Sequence, residues 1–323
     1  MRFSLFLAGA TLFAQYSSPV RLDCGKYATT QWPDNTYSCE RYATFPWFAA
    51  GQGWSTQVPM LAAPAAGATD RPAGVRFQVG LGNESSVATV YGGLSGRYSN
   101  FAFVQPSLAA ASSARLDLLS AASCSTDGCF LTGDLAYGPL WVQLDAADVA
   151  TLEAAAIQLI FIYSDSTGAN TRQVAVPPVF SDLASAKWIA SFSETATDKK
   201  MDDVNSNDSS FAVTNLSDQP QSVRVSLYDQ QGGLLAQRDT PLLAAGLRNN
   251  GQVTAGGVYA ADFASFFGLT SAMLTPAAAE QAAATGTIDG TIRFESSAGQ
   301  PIAPLVLRMA GASITSMLVS PLQ

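Results

Sequence analysis

Apolar and polar residues alternate one by one in short runs along this chain, and that period of two is the constraint from which the fold follows. Val75, Phe77, Val79 and Leu81 alternate with Arg76, Gln78 and Gly80; Val223, Val225 and Leu227 with Ser222, Arg224 and Ser226; Ile292 and Phe294 with Thr291, Arg293 and Glu295. Successive side chains of a strand point to opposite faces, so each run reads as a strand with one side in a core and the other in water. Residues 159–163 are apolar at every position and read as a central strand covered on both faces. Turn signals separate the runs, at Gly92-Gly93, residues 164–168, Gly232-Gly233 and residues 297–301. Many short strands at that spacing predict an all-β sandwich architecture. The best helical candidate is residues 276–284, where Pro276 suits a first turn, the alanines favour helix and Gly286 stands just past the end. Residues 148–156 fit either a helical turn or a loop leading into the next strand.

With 323 residues the chain has room for two domains. Each half runs from an aromatic-rich opening through an alternating strand to a late strand, a Ser/Gly turn and a closing strand. Residues 161–168 parallel residues 294–299, which predicts a duplicated module. At the N-terminus Met1-Arg2 precedes a largely apolar run over residues 3–14, followed by the polar residues 15–19. That layout is a secretory signal peptide, and the run is shorter than the roughly 20 residues of a membrane-spanning helix. The expected division is a signal peptide at 1–14, a disulfide-bearing segment at 15–44, and sandwiches at 45–178 and 179–323. Export places the protein outside the cell or on its surface, with no transmembrane helix. A membrane β-barrel fits poorly, because its strands run to roughly 9 to 11 residues and most of these look shorter. Four cysteines in an exported chain predict two disulfides, and sequence proximity favours Cys24 with Cys39 and Cys124 with Cys129 among the three connectivities.

At Phe45-Pro46-Trp47-Phe48-Ala49 and Gly51-Gln52-Gly53-Trp54 the chain resembles the opening of an uncharacterised family of secreted bacterial tandem β-sandwich proteins. The second half is the closer likeness, with Phe211-Ala212-Val213-Thr214-Asn215, then residues 223–228, Gly290-Thr291-Ile292-Arg293-Phe294 and residues 302–308 in that family's order. The resemblance implies a fold class of two tandem Ig-like antiparallel β-sandwich domains with little helix, and implies no activity. The cysteine-bearing segment before Phe45 and the alanine-rich stretch near Pro276 depart from the pattern.

The chain contains no histidine, which removes imidazole acid–base chemistry, His-activated nucleophiles and the usual zinc sites. Oxidised cysteines remove thiolate catalysis as well. A net charge of −8, with Lys199-Lys200 as the densest basic feature, leaves no footprint for nucleic-acid phosphates. Ser185-Ala186-Lys187 lacks the spacing that sets hydroxyl and amine on one helical face. Residues 202–208 form the one oxygen-rich cluster, in which Asp203, Asn205, Asn207 and Asp208 are candidate Ca²⁺ ligands; a polar loop entering the strand at Phe211 is the competing reading. It is not an EF-hand, since Asp208 stands where glycine belongs and Thr214 where the distal Glu belongs. No other cofactor is expected. Trp32, Trp47, Trp54, Tyr91 and Tyr98 are candidates for a sugar-stacking platform, with core packing as the rival use for Trp47 and Trp54. Asn83, Asn207 and Asn215 head Asn-x-Ser triplets. The expectation is a non-enzymatic secreted or surface-associated module acting in structure, adhesion or interaction with a protein or glycan. The alternatives are a carbohydrate-binding protein and a carboxylate-based glycoside hydrolase, which needs two acids at a separation that only a structure gives.

Overall fold

A computed structural model of the protein describes residues 23–31, 37–51, 53–62, 73–80, 87–91, 93–94, 102–108, 113–117, 136–146, 148–164, 171–195, 207–249, 252–310 and 313–322. The signal-peptide run, Cys124, Cys129, Trp32, Tyr98, Asn83, Asp203 and Asn205 lie outside the described residues, as do the side chains of Tyr91 and Asn207.

The chain is all-β, as the alternation predicts, and its strands pair antiparallel in sheets that each draw on one half of the sequence. In the first half an eight-stranded sheet is centred on Tyr37–Ala50, Ala136–Ala146 and Ala73–Gly80. A five-stranded sheet centred on Trp54–Ala62 and Leu159–Ser164 packs against it. In the second half a five-stranded sheet runs in the order Leu234–Asp239, Val223–Asp229, Thr287–Ser296, Lys187–Thr195, Val319–Pro321. It faces a four-stranded sheet in the order Val258–Asp262, Asn207–Asn215, Ile302–Ala310, Ser313–Met317. The alternating residues land as expected, with Val223, Val225, Leu227, Ile292 and Phe294 buried in one core beside Phe211 and Val213. No helix among the described residues is long and apolar enough to cross a membrane.

Residues 159–163 are covered differently from the expectation. Leu159 and Phe161 are fully buried, but Ile160 and Ile162 are half-buried, so one face alone is in a core. Ile302–Ala310, by contrast, is covered on both faces, with Ile302, Ala303, Leu305, Val306 and Leu307 all buried. Ile302 and Val306 face the core of the second half, while Leu305 and Leu307 join the core of the first with Ala212 and Val258. The Thr214 hydroxyl, buried at that junction, donates to the Pro46 carbonyl at 2.7 Å. The Ser316 hydroxyl donates to the Ala175 carbonyl at 2.8 Å. The two halves therefore meet through apolar packing and hydrogen bonds, one of them buried, and not through a linker alone.

The helix over Pro276–Thr285 forms where expected, with Thr275 accepting from the Ala278 N–H and Gly286 closing the end at φ 73°. At residues 148–156 the helical reading holds and the loop does not: Asp148 caps a short helix, Val149–Ala154, which passes directly into a strand at Ala155–Ile157. A further helix, Phe263–Phe267, was not expected. Asp262 caps it through the Ser265 N–H at 2.7 Å, and Phe263 and Phe266 enter the second core.

Cys24 and Cys39 are joined as expected, with Cα atoms 5.4 Å apart, and both sit in the core of the first half. The bond ties residues 23–31 to Tyr37–Ala50 across a separation of 15 residues. In the chain-entropy account a loop of that length is worth about 3 kcal/mol. Reducing the protein, or introducing Cys24→Ser, is expected to lower the unfolding free energy in urea by about that amount; an unchanged midpoint under reductant would refute the assignment.

Candidate functional site

Residues 176–183 carry the chain from one half to the other and begin Val176-Pro177-Pro178. Two successive prolines fix φ and offer no N–H, which holds the crossing extended. Val179 and Phe180 then pair with Thr44 and Ala43, and a single turn follows at Ser181–Leu183. That turn is fastened from below. Asp182 takes ion pairs from Lys26 at 3.2 Å and Arg41 at 3.4 Å, and the Arg41 guanidinium lies 3.5 Å from the centre of the Phe180 ring.

Opposite this wall stand Met317 and Leu318, and between them opens a recess of about 270 Å³, lined among others by Pro177, Phe180, Leu183 and Trp188. None of its described lining side chains is ionisable. Its polar side-chain groups are already used: the Trp188 indole N–H reaches the Ser185 and Ile302 carbonyls at 2.9 and 3.0 Å, and the Ser316 hydroxyl is held by Ala175. On its rim Leu183 is 58% exposed and Leu318 78%, a cost in water that surface leucines incur without return unless something covers them.

Trp47 and Trp54 do come together. Their ring centres are 5.7 Å apart at 74°, Tyr163 lies 4.9 Å from Trp54, and the fully buried Phe161 lies 5.1 Å from Trp47. Gly53 makes the tight approach possible: its φ is 87°, and a Cβ there would stand 2.3 Å from the Ser164 carbonyl oxygen. The two tryptophans and Tyr163 are half-buried and pack on the first core. They form a tilted cluster rather than a row of parallel faces, and the buried Trp47 indole N–H has no hydrogen-bond partner among the described residues.

Of the four candidate calcium ligands, Asp208 alone has a described side chain. Asp208 is buried and accepts from the Thr195 hydroxyl at 3.1 Å. Beside it is Glu194, absent from the sequence candidates, whose carboxyl accepts the Ser209 N–H at 2.8 Å. Burial pushes the Glu194 carboxyl up to about 8, with the charges of Asp208 and Asp262 acting the same way and the Ser209 N–H opposing. Among the described residues no three His, Cys, Asp or Glu side chains are grouped to hold a metal ion. Glu40 and Asp145 stand directly opposite each other on neighbouring strands, but both are buried, with the Tyr42 hydroxyl on Glu40, whereas a glycosidase pair must open onto its substrate. Ser185 and Lys187 form no dyad: the Ser185 hydroxyl accepts the Lys187 backbone N–H, and the Lys187 ammonium pairs with Glu295.

No family model, no curated protein and no solved structure matches this chain. The likeness to secreted tandem β-sandwich proteins thus rests on strand and turn patterns, and what the structure itself adds is a β-rich fold.

Proposed function

We propose that this is a non-enzymatic secreted or surface-associated protein whose Ig-like sandwiches act as an adhesion or interaction module, presenting the recess between the halves to a partner. The single observation that carries the reading is the character of that recess: preformed, apolar, edged by two exposed leucines and, among the described residues, free of ionisable lining side chains. Such a surface binds by excluding water and offers no acid, base or nucleophile. The missing histidine points the same way.

The carbohydrate-binding alternative draws on the Trp47, Trp54 and Tyr163 cluster with its unpartnered indole N–H. One set of measurements separates the readings. Purified protein is expected to bind an apolar fluorescent dye at the recess, to lose that binding in the double variant Leu183→Asp, Leu318→Asp, and to convert no polysaccharide, ester or peptide substrate. Glycan-array binding lost in Tyr163→Ser would favour the sugar reading, and robust substrate conversion would sink the non-enzymatic one.

A further inference from the structure

Resting on that reading, we propose that the recess takes an extended, uncharged, apolar peptide segment of a partner protein, added as a strand to the open edge of Val319–Pro321. This strand is outermost in its sheet, and among the described residues it pairs with Lys187–Thr195 alone. The Leu322 N–H donates to the Lys187 carbonyl at 2.9 Å, and Ser320 stands opposite Ile189. Backbone groups in an antiparallel pair point alternately toward and away from the partner strand. Val319 and Pro321 therefore turn theirs to the open side. That side offers two carbonyls and one N–H, because Pro321 has none to give. An extended peptide satisfies all three groups, whereas an alkyl chain satisfies none.

The side chains of an added strand would find the recess waiting. Pro321 is the cross-strand partner of Trp188, and Val319 lies two residues before Pro321, so all three share one face of the sheet, and all three line the recess. Side chains of the incoming strand that point to that face enter it, and Leu183 and Leu318 close over them. Charge narrows the occupant further. In a chain of net charge −8 the recess carries no ionisable lining group among the described residues, so a charged side chain would surrender its hydration with no counterion in that lining to meet it. The wall is also held in place beforehand by the Asp182 ion pairs, which spares the complex the ordering of a loop.

The test is selection of linear peptides from a phage-displayed library on the full-length protein, followed by binding of the synthetic winners. Expected winners are apolar, uncharged and strand-forming, and bind about tenfold or more weaker to the Leu183→Asp, Leu318→Asp variant. Both leucines are exposed, so the variant is expected to keep the wild-type circular dichroism and melting curve. N-methylation of alternate backbone nitrogens in the peptide is expected to weaken binding, and methylation of the intervening ones is not. Winners that depend on the leucines yet tolerate every N-methyl group would overturn strand addition while leaving an interaction module in place. Absence of winners alongside tight binding of a long-chain fatty acid would overturn the peptide class itself.

Discussion

Substituting Glu194→Gln is expected to make the protein more stable near pH 8 and to flatten its pH dependence from the acid side up to that point. Glu194 lies on Lys187–Thr195, is 5% exposed, and accepts the Ser209 N–H while facing Asp208 and Asp262. With its carboxyl pushed up to about 8, the folded protein keeps the proton that the unfolded chain releases near its ordinary 4.5. The sign follows from linkage. The folded state binds the extra proton between those values, so this contribution is complete below about 4.5 and is lost as pH rises through about 8. At about 1.4 kcal/mol per pH unit the gap corresponds to several kcal/mol. Glutamine keeps an oxygen for the Ser209 N–H and replaces the carboxyl proton with an amide that can donate to Asp208, without ionising. Urea denaturation of both proteins at a series of pH values decides the matter. Parallel curves would show that Glu194 is not what the folded state protonates.

Glu194 also shows which part of the molecule the sequence concealed. In Ser193-Glu194-Thr195 a lone carboxylate reads as solvated surface, and the groups that act on it, Ser209 and Asp262, are brought to it from two other strands. The alternating strands were legible because period two is a local property: each of Val223, Val225 and Leu227 declares its face without reference to its neighbours in space. Whether a wholly apolar run has cover on both faces is not local. Residues 159–163 and 302–307 are both wholly apolar, yet only the latter run lies between two cores, because the sheet above it belongs to the other half. The helix Phe263–Phe267 escaped notice because one turn is too short to show a period, although Phe263, Phe266 and Phe267 followed by Gly268 carried its signature. Trp47 and Trp54 could be named from sequence as aromatic candidates, and the tight turn at Gly51 and Gly53, which carries the chain from the eight-stranded sheet into the facing five-stranded one, brings them together. The recess could not. Its walls come from residues 176–188 and 304–321, and only the sheet order sets Val319–Pro321 beside Trp188.

Asn215→Ala is expected to be among the most damaging single changes in the second half, lowering the unfolding free energy by about 3 to 4 kcal/mol. As the head of an Asn-x-Ser triplet, Asn215 looked available for glycosylation, but it is 0% exposed and occupied on every side. Its amide donates to the Gln219 and Ala244 carbonyls at 2.8 and 3.0 Å. Its oxygen accepts from the Ser217 N–H at 2.9 Å and from the Gln221 amide at 2.7 Å. This one side chain thereby ties the end of Asn207–Asn215 to two loops that share no strand with it, and Gln221 carries the tie onward to Ser296. Alanine strips the buried Ser217 N–H of its acceptor, at a cost of about 1 to 3 kcal/mol. It also takes one donor each from the Gln219 and Ala244 carbonyls, which keep the Ser217 hydroxyl and the Gly257 N–H, while the Gln221 amide loses its nearer acceptor. Asn215→Asp separates lost hydrogen bonding from lost volume. At neutral pH its carboxylate would face the same two carbonyls, so that variant is expected to be less stable than alanine. In acid the protonated carboxyl can donate to one of them, and stability relative to Asn215→Ala is expected to recover. Thermal melts of the three proteins at neutral and acid pH would show this crossing; an aspartate variant as stable as wild type at neutral pH would mean that the side chain is not held as described.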